Sequence, residues 1–493
     1  MIDLAEARSR VREAGGAELC DRLEHLDAIR GERRRTRHNP PARRGVTMRA
    51  PDRGARPDFD VVIAGGGLSL LLAPLLAERG LRVAVFDRST VGHAHREWNA
   101  GAREIKALEE ARILSPAALE ALIMARYAFG ICRWHRGGTY PVTGVLDHAI
   151  DAGGLLAEAR AAALHRGVTL CDDHTLLDHV EGADLVSLRF AVGHDERIAP
   201  HREVTTRLLV DARGASSPHA TADLICPTVG GVIAGLEEGE GQDRIQPHVG
   251  EILATTEGVE HGVQHIWEAF PGRPGEVTVY LFYYARTEDV PGGELLRLFA
   301  RFFERLPSYK SGPARLLRPT FGYIPGWSRL VPAPAPPGPR VVLVGDAAAR
   351  HSPLTFCGFG ATVRSLVTTA DGIAGILAGE RPPPKDGVVC DAPIHAGTGV
   401  LARFMATQPQ DRARKDDLNE LLDVAFRVLH GMGNEAYAAL LRDEMSPGDF
   451  VRFLRETAAL RPRVYREVFT QLGPGEVGRW GLGFAREMLR AAI

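Results

Sequence analysis

Uninterrupted apolar runs and alternating ones divide this chain into regions, and the division predicts its architecture. Val61-Val62-Ile63-Ala64, Val83-Ala84-Val85-Phe86 and Val341-Val342-Leu343-Val344 are apolar throughout, as expected of strands buried on both faces of a parallel sheet. The Leu-rich stretch Leu68 to Ala77 lies between the first two and predicts their crossover helix. A helix from Asp147 through Leu164 leads to the strand Val168-Thr169-Leu170-Cys171, and strand-like runs follow at Leu185 to Val192 and Arg207 to Val210. Between about 226 and 330 the segments His261 to Phe270 and Val277 to Tyr284 alternate, predicting a half-buried sheet that interrupts the first one. After about residue 400 the period becomes helical: Leu418, Leu421, Leu422, Ala425 and Leu429 share a face, and Phe450, Phe453 and Leu454 begin another helix. At the other end Leu19, Leu23, Leu26 and Ile29 share a helical face, and the arginine-rich stretch Arg30 to Arg44 reads as a linker.

The predicted organisation is therefore a helix and basic linker (1–57), a first nucleotide-binding part (58–225), an inserted substrate sheet (226–330), a second nucleotide-binding part (331–400) and a helical region (401–493). The proline-rich segment 332–339 reads as a stiff connector back to the first sheet. With 493 residues the chain exceeds what one core covers, and a net charge of −2 gives no general attraction to nucleic acid. Six cysteines without CxxC spacing argue against a zinc site or a disulfide framework. Cys171-Asp172-Asp173-His174 reads as a solvated turn, since adjacent residues rarely converge on one ion. The run Leu68 to Ala77 contains Pro74 and is too short to cross a bilayer, and no secretory signal follows Met1, so a cytoplasmic protein is expected.

Chemistry enters at the turns. Gly65-Gly66-Gly67 separates a strand from a helix, and Asp87, followed by Arg88, ends the next strand. Glycines there let the backbone approach a pyrophosphate at a helix N-terminus, and the acid takes a ribose hydroxyl. Leu70 occupies the position that usually holds the last glycine of this pattern, so the helix is expected to dock slightly further out. About 280 residues later, Gly345-Asp346 ends a strand and leads to the turn Gly358-Phe359-Gly360, an arrangement that aims Asp346 at a ribityl hydroxyl and backbone N–H groups at a flavin pyrimidine. The pair of signals favours FAD over NAD and predicts an α/β fold: a Rossmann-like FAD-binding domain with an inserted β-sheet substrate domain and a C-terminal helical region.

The stretches Asp58-Phe59-Asp60-Val61-Val62, Glu97-Trp98-Asn99 with Arg103, Trp267-Glu268-Ala269-Phe270-Pro271, and Ser352 through Gly360 including Pro353, resemble the FAD-dependent lycopene cyclase family of the CruA/CruP type, within the p-hydroxybenzoate-hydroxylase-like flavoproteins. The resemblance implies ring closure of a ψ-end polyene by acid catalysis. FAD would be needed in reduced form without being consumed, with NAD(P)H as an indirect reductant. It also implies an arginine at the FAD pyrophosphate, placed here at Arg103. Glu268 is the expected proton donor: on a strand it shares a face with Ile266 and Phe270, and burial raises a carboxyl pKa. A solvated edge glutamate is the other reading of the same position. His265, Trp267, Tyr280 and Tyr284 are candidates to line a polyene tunnel, or simply core aromatics. At the third flavin landmark, Asp211-Ala212-Arg213-Gly214, Arg213 stands where aromatic hydroxylases usually carry an acid. A monooxygenase, a prenyl-chain reductase or a non-catalytic flavin-binding paralogue remain the alternatives. An oily substrate calls for peripheral contact with the inner face of a membrane, and Trp480, Phe484 and Met488 share one face of a C-terminal helix suited to it; the same face also suits docking on the protein's own core.

Overall fold

The computed structural model describes all residues except 1, 37–47, 94–95, 194–198, 221, 331–336, 349–353, 356–357, 390–395, 407–415 and 492–493. Among the described residues a seven-stranded sheet forms the nucleotide-binding layer. Phe59–Ala64 lies at its centre, parallel to Val83–Phe86 on one side and to His201–Asp211 on the other, and Thr169–Cys171 extends it beyond Val83–Phe86. Val341–Leu343 pairs in parallel with Leu209 to Asp211, so a strand from far along the chain completes the layer. Val61, Val62, Ile63 and Ala64 are all buried, which explains their unbroken apolar run. Helices Leu72–Glu78, Ala152–His165 and Leu366–Ala378 pack on one face, and the antiparallel strands His174–Glu181 and Val186–Val192 extend the sheet at the other edge. The predicted strands at 185–192 and 207–210 are thus present, the second within a longer strand.

An eight-stranded, mostly antiparallel sheet forms the second layer, with Leu224–Ala234, Val249–Ala254, Ile266–Pro271, Glu276–Phe282 and Arg315–Gly326 among its strands. The hairpin Phe129–Arg133 and Thr139–Val142 joins this sheet, although it precedes residue 226. Its polar and apolar positions are too few to show which sheet it will join, because that is decided by pairing with the distant Val249–Ala254. The amphipathic helix Glu294–Tyr309 covers one face with Leu295, Phe299, Phe302 and Leu306. The helices Asp417–Met432, Asn434–Leu441, Pro447–Leu460 and Val464–Ala491 gather over the other face.

The N-terminal helix Leu4–Thr36, kinked at Gly16, lies against Glu294–Tyr309 and strand Arg315–Gly326. Asp27 fastens it: its carboxylate accepts from the backbone of Leu295 (3.1 Å) and Leu296 (3.3 Å) and from the Tyr323 hydroxyl (2.5 Å). Those N–H groups open the helix Glu294–Tyr309, so one acid both caps that helix and ties the N-terminal helix to the substrate sheet. Leu23 is buried there, with Leu19 and Leu26 packed beside it, as their shared face predicts.

Candidate functional site

Three turns, far apart in sequence, meet where the parallel strands end. Gly65 has φ of 115°, and a Cβ on it would stand 2.2 Å from the Ala212 carbonyl oxygen, so only glycine lets the first strand turn against the third landmark. Ala212 in turn donates its N–H to Ala64 O at 2.8 Å. Gly345 lies against Ser69, whose Oγ would be 3.8 Å from an added Cβ, and Gly214 lies against Asp346. The carboxyl ends of the strands therefore carry all three landmarks, the place where open α/β sheets bind dinucleotides.

The turn itself is open. A Cβ at Gly67 would meet nothing within 4 Å, and the opening turn Leu68–Leu71, which runs straight into helix Leu72–Glu78, has no side-chain cap. That opening turn is 3-10 rather than α-helical, with Leu70 fully buried where the usual pattern has glycine. Asp87 points back at the turn: one carboxylate oxygen accepts from Gly66 N at 2.7 Å, the other from Ser89 N and Oγ at 2.8 and 2.9 Å. A bare glycine face, uncapped helix N–H groups and a carboxylate fixed beside them are the donor and acceptor set that a diphosphate and a ribose diol require, so these residues fit FAD.

Across the inter-sheet region lies Glu268. It stands on Ile266–Pro271 facing the same way as Ile266 and Phe270, opposite Tyr280 on the neighbouring strand. Asn99 donates its amide to Glu268 Oε1 at 2.6 Å. Burial pushes the Glu268 carboxyl up to about 7, against the opposing pull of the Asn99 hydrogen bond. The residue keeps some accessible surface, as a group that must meet a ligand needs to. Desolvation outweighs the hydrogen bond by ~3 kcal/mol, so the protonated acid persists near neutrality. The Tyr280 hydroxyl donates to Glu97 O at 3.0 Å, and Trp98 stacks on Phe359 at 4.8 Å. Residues 97–99, the Glu268 strand and the Gly358–Arg364 helix are thereby joined into one cluster.

No protein-family model matches the sequence, and no curated protein matches it. Among solved structures the chain is similar to a geranylgeranyl bacteriochlorophyll reductase-like protein from Thermoplasma acidophilum, with TM-score 0.56 and 15% identity over 84% of this chain and 98% of that one. It is also similar to the halogenase PltM (TM-score 0.53, 12% identity, 87% and 98% covered), a variant of which was solved with FAD. A flavoprotein/dehydrogenase from Cytophaga hutchinsonii follows at TM-score 0.50 and 14% identity, with 78% and 92% covered. The chain has the FAD-binding flavoprotein fold.

Within that fold the remaining predicted residues are distributed unevenly. Arg88 is exposed beside Asp87. Arg103 is engaged elsewhere, paired with Glu435 at 3.7 Å on the helix Asn434–Leu441 and with Glu444 at 2.7 Å in the loop that follows it. Gly360 packs against Arg364 and Glu104, while Pro353 lies outside the described residues. Arg213 grips the buried Asp211 through two hydrogen bonds of 3.0 and 2.8 Å. Tyr280 and Tyr284 share the Glu268 face, with the Tyr284 hydroxyl donating to Leu354 O. Trp267 lies on the opposite face, stacked on Tyr309, and His265 abuts Tyr283 there, so neither belongs to the Glu268 face. Asn99 was visible only as part of a motif. Its partnership with Glu268 depends on strand placement, and no local signal announces it.

Proposed function

We propose that the protein is an FAD-dependent enzyme acting on an unsaturated, lipophilic chain, with Glu268 delivering a proton to a carbon–carbon double bond. The observation that carries this reading is a carboxyl with a pKa of about 7 on the apolar face of the substrate sheet, oriented by Asn99. The Gly65–Gly67 turn would hold the pyrophosphate, Asp87 the ribose, and Asp346 with Gly358 to Gly360 the flavin end. These last residues open the helix Gly358–Arg364 rather than forming the turn expected from the sequence. FAD, when bound, supplies hydride or electron transfer at its ring system. Ile266, Phe270, Phe282 and Leu354 keep water from the carbon centre that protonation makes electron-poor. Asn99 keeps one carboxyl oxygen engaged, leaving the other to carry the proton toward the substrate.

The likeness to the geranylgeranyl bacteriochlorophyll reductase-like protein favours saturation of an isoprenoid double bond, with Glu268 supplying its proton and NAD(P)H serving as the ultimate electron source. Ring closure of a ψ-end polyene such as lycopene is the second reading. It is favoured by the meeting of residues 97–99, the Glu268 strand and the start of the helix Gly358–Arg364, the stretches that resemble the cyclases. Anaerobic incubation with pre-reduced FAD and either a geranylgeranyl compound or lycopene, followed by mass spectrometry, separates them. Saturation adds hydrogens, cyclisation leaves the mass unchanged, and oxygenation under air adds oxygen. A flavin-loaded protein that leaves every isoprenoid untouched would overturn the proposal.

Access to such substrates would come from a membrane surface. Among the described residues no helix is long and apolar enough to cross a bilayer. On the last helix Trp480 and Phe484 pack toward the core, while Leu482 and Leu489, each 67% exposed, and Met488 face outward. Glu467, Glu476 and Glu487 pair with Arg461, Arg403 and Arg329, leaving Arg466 and Arg486 without ion pairs among the described residues. An apolar, cationic outer face suits anionic lipid.

A further inference from the structure

We infer that the N-terminal helix completes the dinucleotide site, with Arg22 joining Arg88 and Arg96 to hold the anionic diphosphate half of the cofactor. This rests on the flavoprotein reading above and adds an element that lies outside the nucleotide-binding sheet.

Arg22 is half-buried on a helix whose neighbours are substrate-domain elements. Its Nε is buried and has no hydrogen-bond partner among the described residues. The charges it senses are Arg88, Arg96, Asp87 and Glu18, so it lies by the acid that closes the glycine turn. Burial first, and then the two arginines, lower its pKa to about 10. Arg88 and Arg96 likewise have no ion pair among the described residues, and the Arg96 guanidinium rests against Gly322 of the substrate sheet. Asp87 is already engaged by Gly66 and Ser89. Three arginines set against two carboxylates, Asp87 already engaged and Glu18 exposed, leave a net positive charge, and a desolvated guanidinium N–H without an acceptor is costly. A diphosphate relieves both: it supplies negative charge and acceptor oxygens in the geometry that arginine forks match.

The helix is held firmly enough to act in this way. Asp27, five residues on, is tied to Leu295, Leu296 and Tyr323, and a Cβ on Gly292 would stand 2.8 Å from Gly31 Cα, so the helix and the substrate domain are in close contact. Arg22 thus reaches the nucleotide layer from the substrate layer and links cofactor binding to the position of one on the other.

The test is titration of apoprotein with FAD, ADP and adenosine, for wild type, Arg22→Gln and Arg22→Lys, at low and high salt, alongside apoprotein melting curves. Arg22→Gln is expected to weaken FAD and ADP by about 10- to 100-fold, to flatten the salt dependence, and to leave adenosine unchanged; Arg22→Lys recovers part of the loss. Because Arg22 has no hydrogen-bond or ion-pair partner among the described residues and two like-charged neighbours, Arg22→Gln should melt no lower than wild type. Equal ADP binding by wild type and Arg22→Gln overturns the inference, as does an equal loss of adenosine or a lowered apoprotein melting temperature. Wild-type protein that binds neither FAD nor ADP overturns the flavoprotein reading itself.

Discussion

Asn99 and Glu268, 169 residues apart, are joined by a 2.6 Å hydrogen bond from the amide to the carboxylate. The bond favours the charged acid, yet burial prevails and the carboxyl titrates near 7. Turnover should therefore fall as pH rises through about 7. Asn99→Leu removes the hydrogen bond that lowers this pKa, so the falling limb of the pH–rate profile should move to higher pH. A limb that stays in place, or moves lower, would separate Glu268 from the proton step.

Replacing the acid tests the chemistry directly. Glu268→Gln should lower kcat by at least ~100-fold while FAD binding, followed by flavin fluorescence, stays at the wild-type level. Wild-type turnover in this variant would remove Glu268 from the mechanism.

Stability should carry the same signature. The folded pKa of Glu268 is raised above the unfolded value, so its contribution is fully present below the ordinary carboxyl range and is lost as pH climbs through about 7. Glu268→Gln should thus be more stable than wild type by up to ~3 kcal/mol at about pH 8, with the gap closing toward pH 5. Asp443 is also raised to about 7 by burial and remains in both proteins, so the difference between their urea midpoints, rather than either curve, is the quantity to compare.

Two glycines of one turn should behave oppositely. Gly65→Ala sets a Cβ 2.2 Å from a carbonyl oxygen at a positive φ and should prevent soluble expression or lower the melting temperature sharply. Gly67→Val has open space around its Cβ, so it should cost the apoprotein far less than Gly65→Ala while FAD affinity drops. Unchanged FAD affinity in Gly67→Val would mean that the pyrophosphate does not lie over this turn.

Asp27→Ala should cost about 2–4 kcal/mol in urea unfolding, because it leaves two N–H groups of a buried helix start and a tyrosine hydroxyl without their acceptor. A loss under ~0.5 kcal/mol would show that the N-terminal helix is not fastened there.

Binding to phosphatidylserine vesicles, read by cosedimentation, should exceed binding to phosphatidylcholine vesicles and fall with salt. Leu482→Glu with Leu489→Glu should abolish it without changing FAD content. Wild-type protein that ignores both vesicles would leave the exposed face without a lipid role.

Much of this was legible locally. The glycine turn, Asp87, the 341–344 strand and Gly345-Asp346 could be read because a parallel strand buried on both faces must be apolar throughout, and a backbone that approaches phosphate must lack side chains. The alternation around Glu268 placed it correctly beside Ile266 and Phe270. Arg103 shows the limit: its charge suits a pyrophosphate, but Glu435 and Glu444 of the C-terminal region pair with it. Trp267 and His265 show another, since neighbours on a strand point to opposite faces, and of the four tunnel candidates Tyr280 and Tyr284 share the side of Glu268.

By itself, then, the sequence determined most of the strands and helices and the glycine turns between them, because periodicity and glycine placement are properties of neighbouring residues. It missed that His148–Ile150 is a strand ahead of the helix Ala152–His165, that the strand read from His261 begins at Ile266, and that the first helix runs on to Thr36. Tertiary structure alone decided that Asn99 reaches Glu268, that the hairpin at 129–142 joins the substrate sheet, and that Arg22 is half-buried with an Nε that has no hydrogen-bond partner among the described residues. The physical reason is that the state of an ionisable group depends on the water excluded and the charges delivered by residues far along the chain, and no local pattern records which of those will arrive.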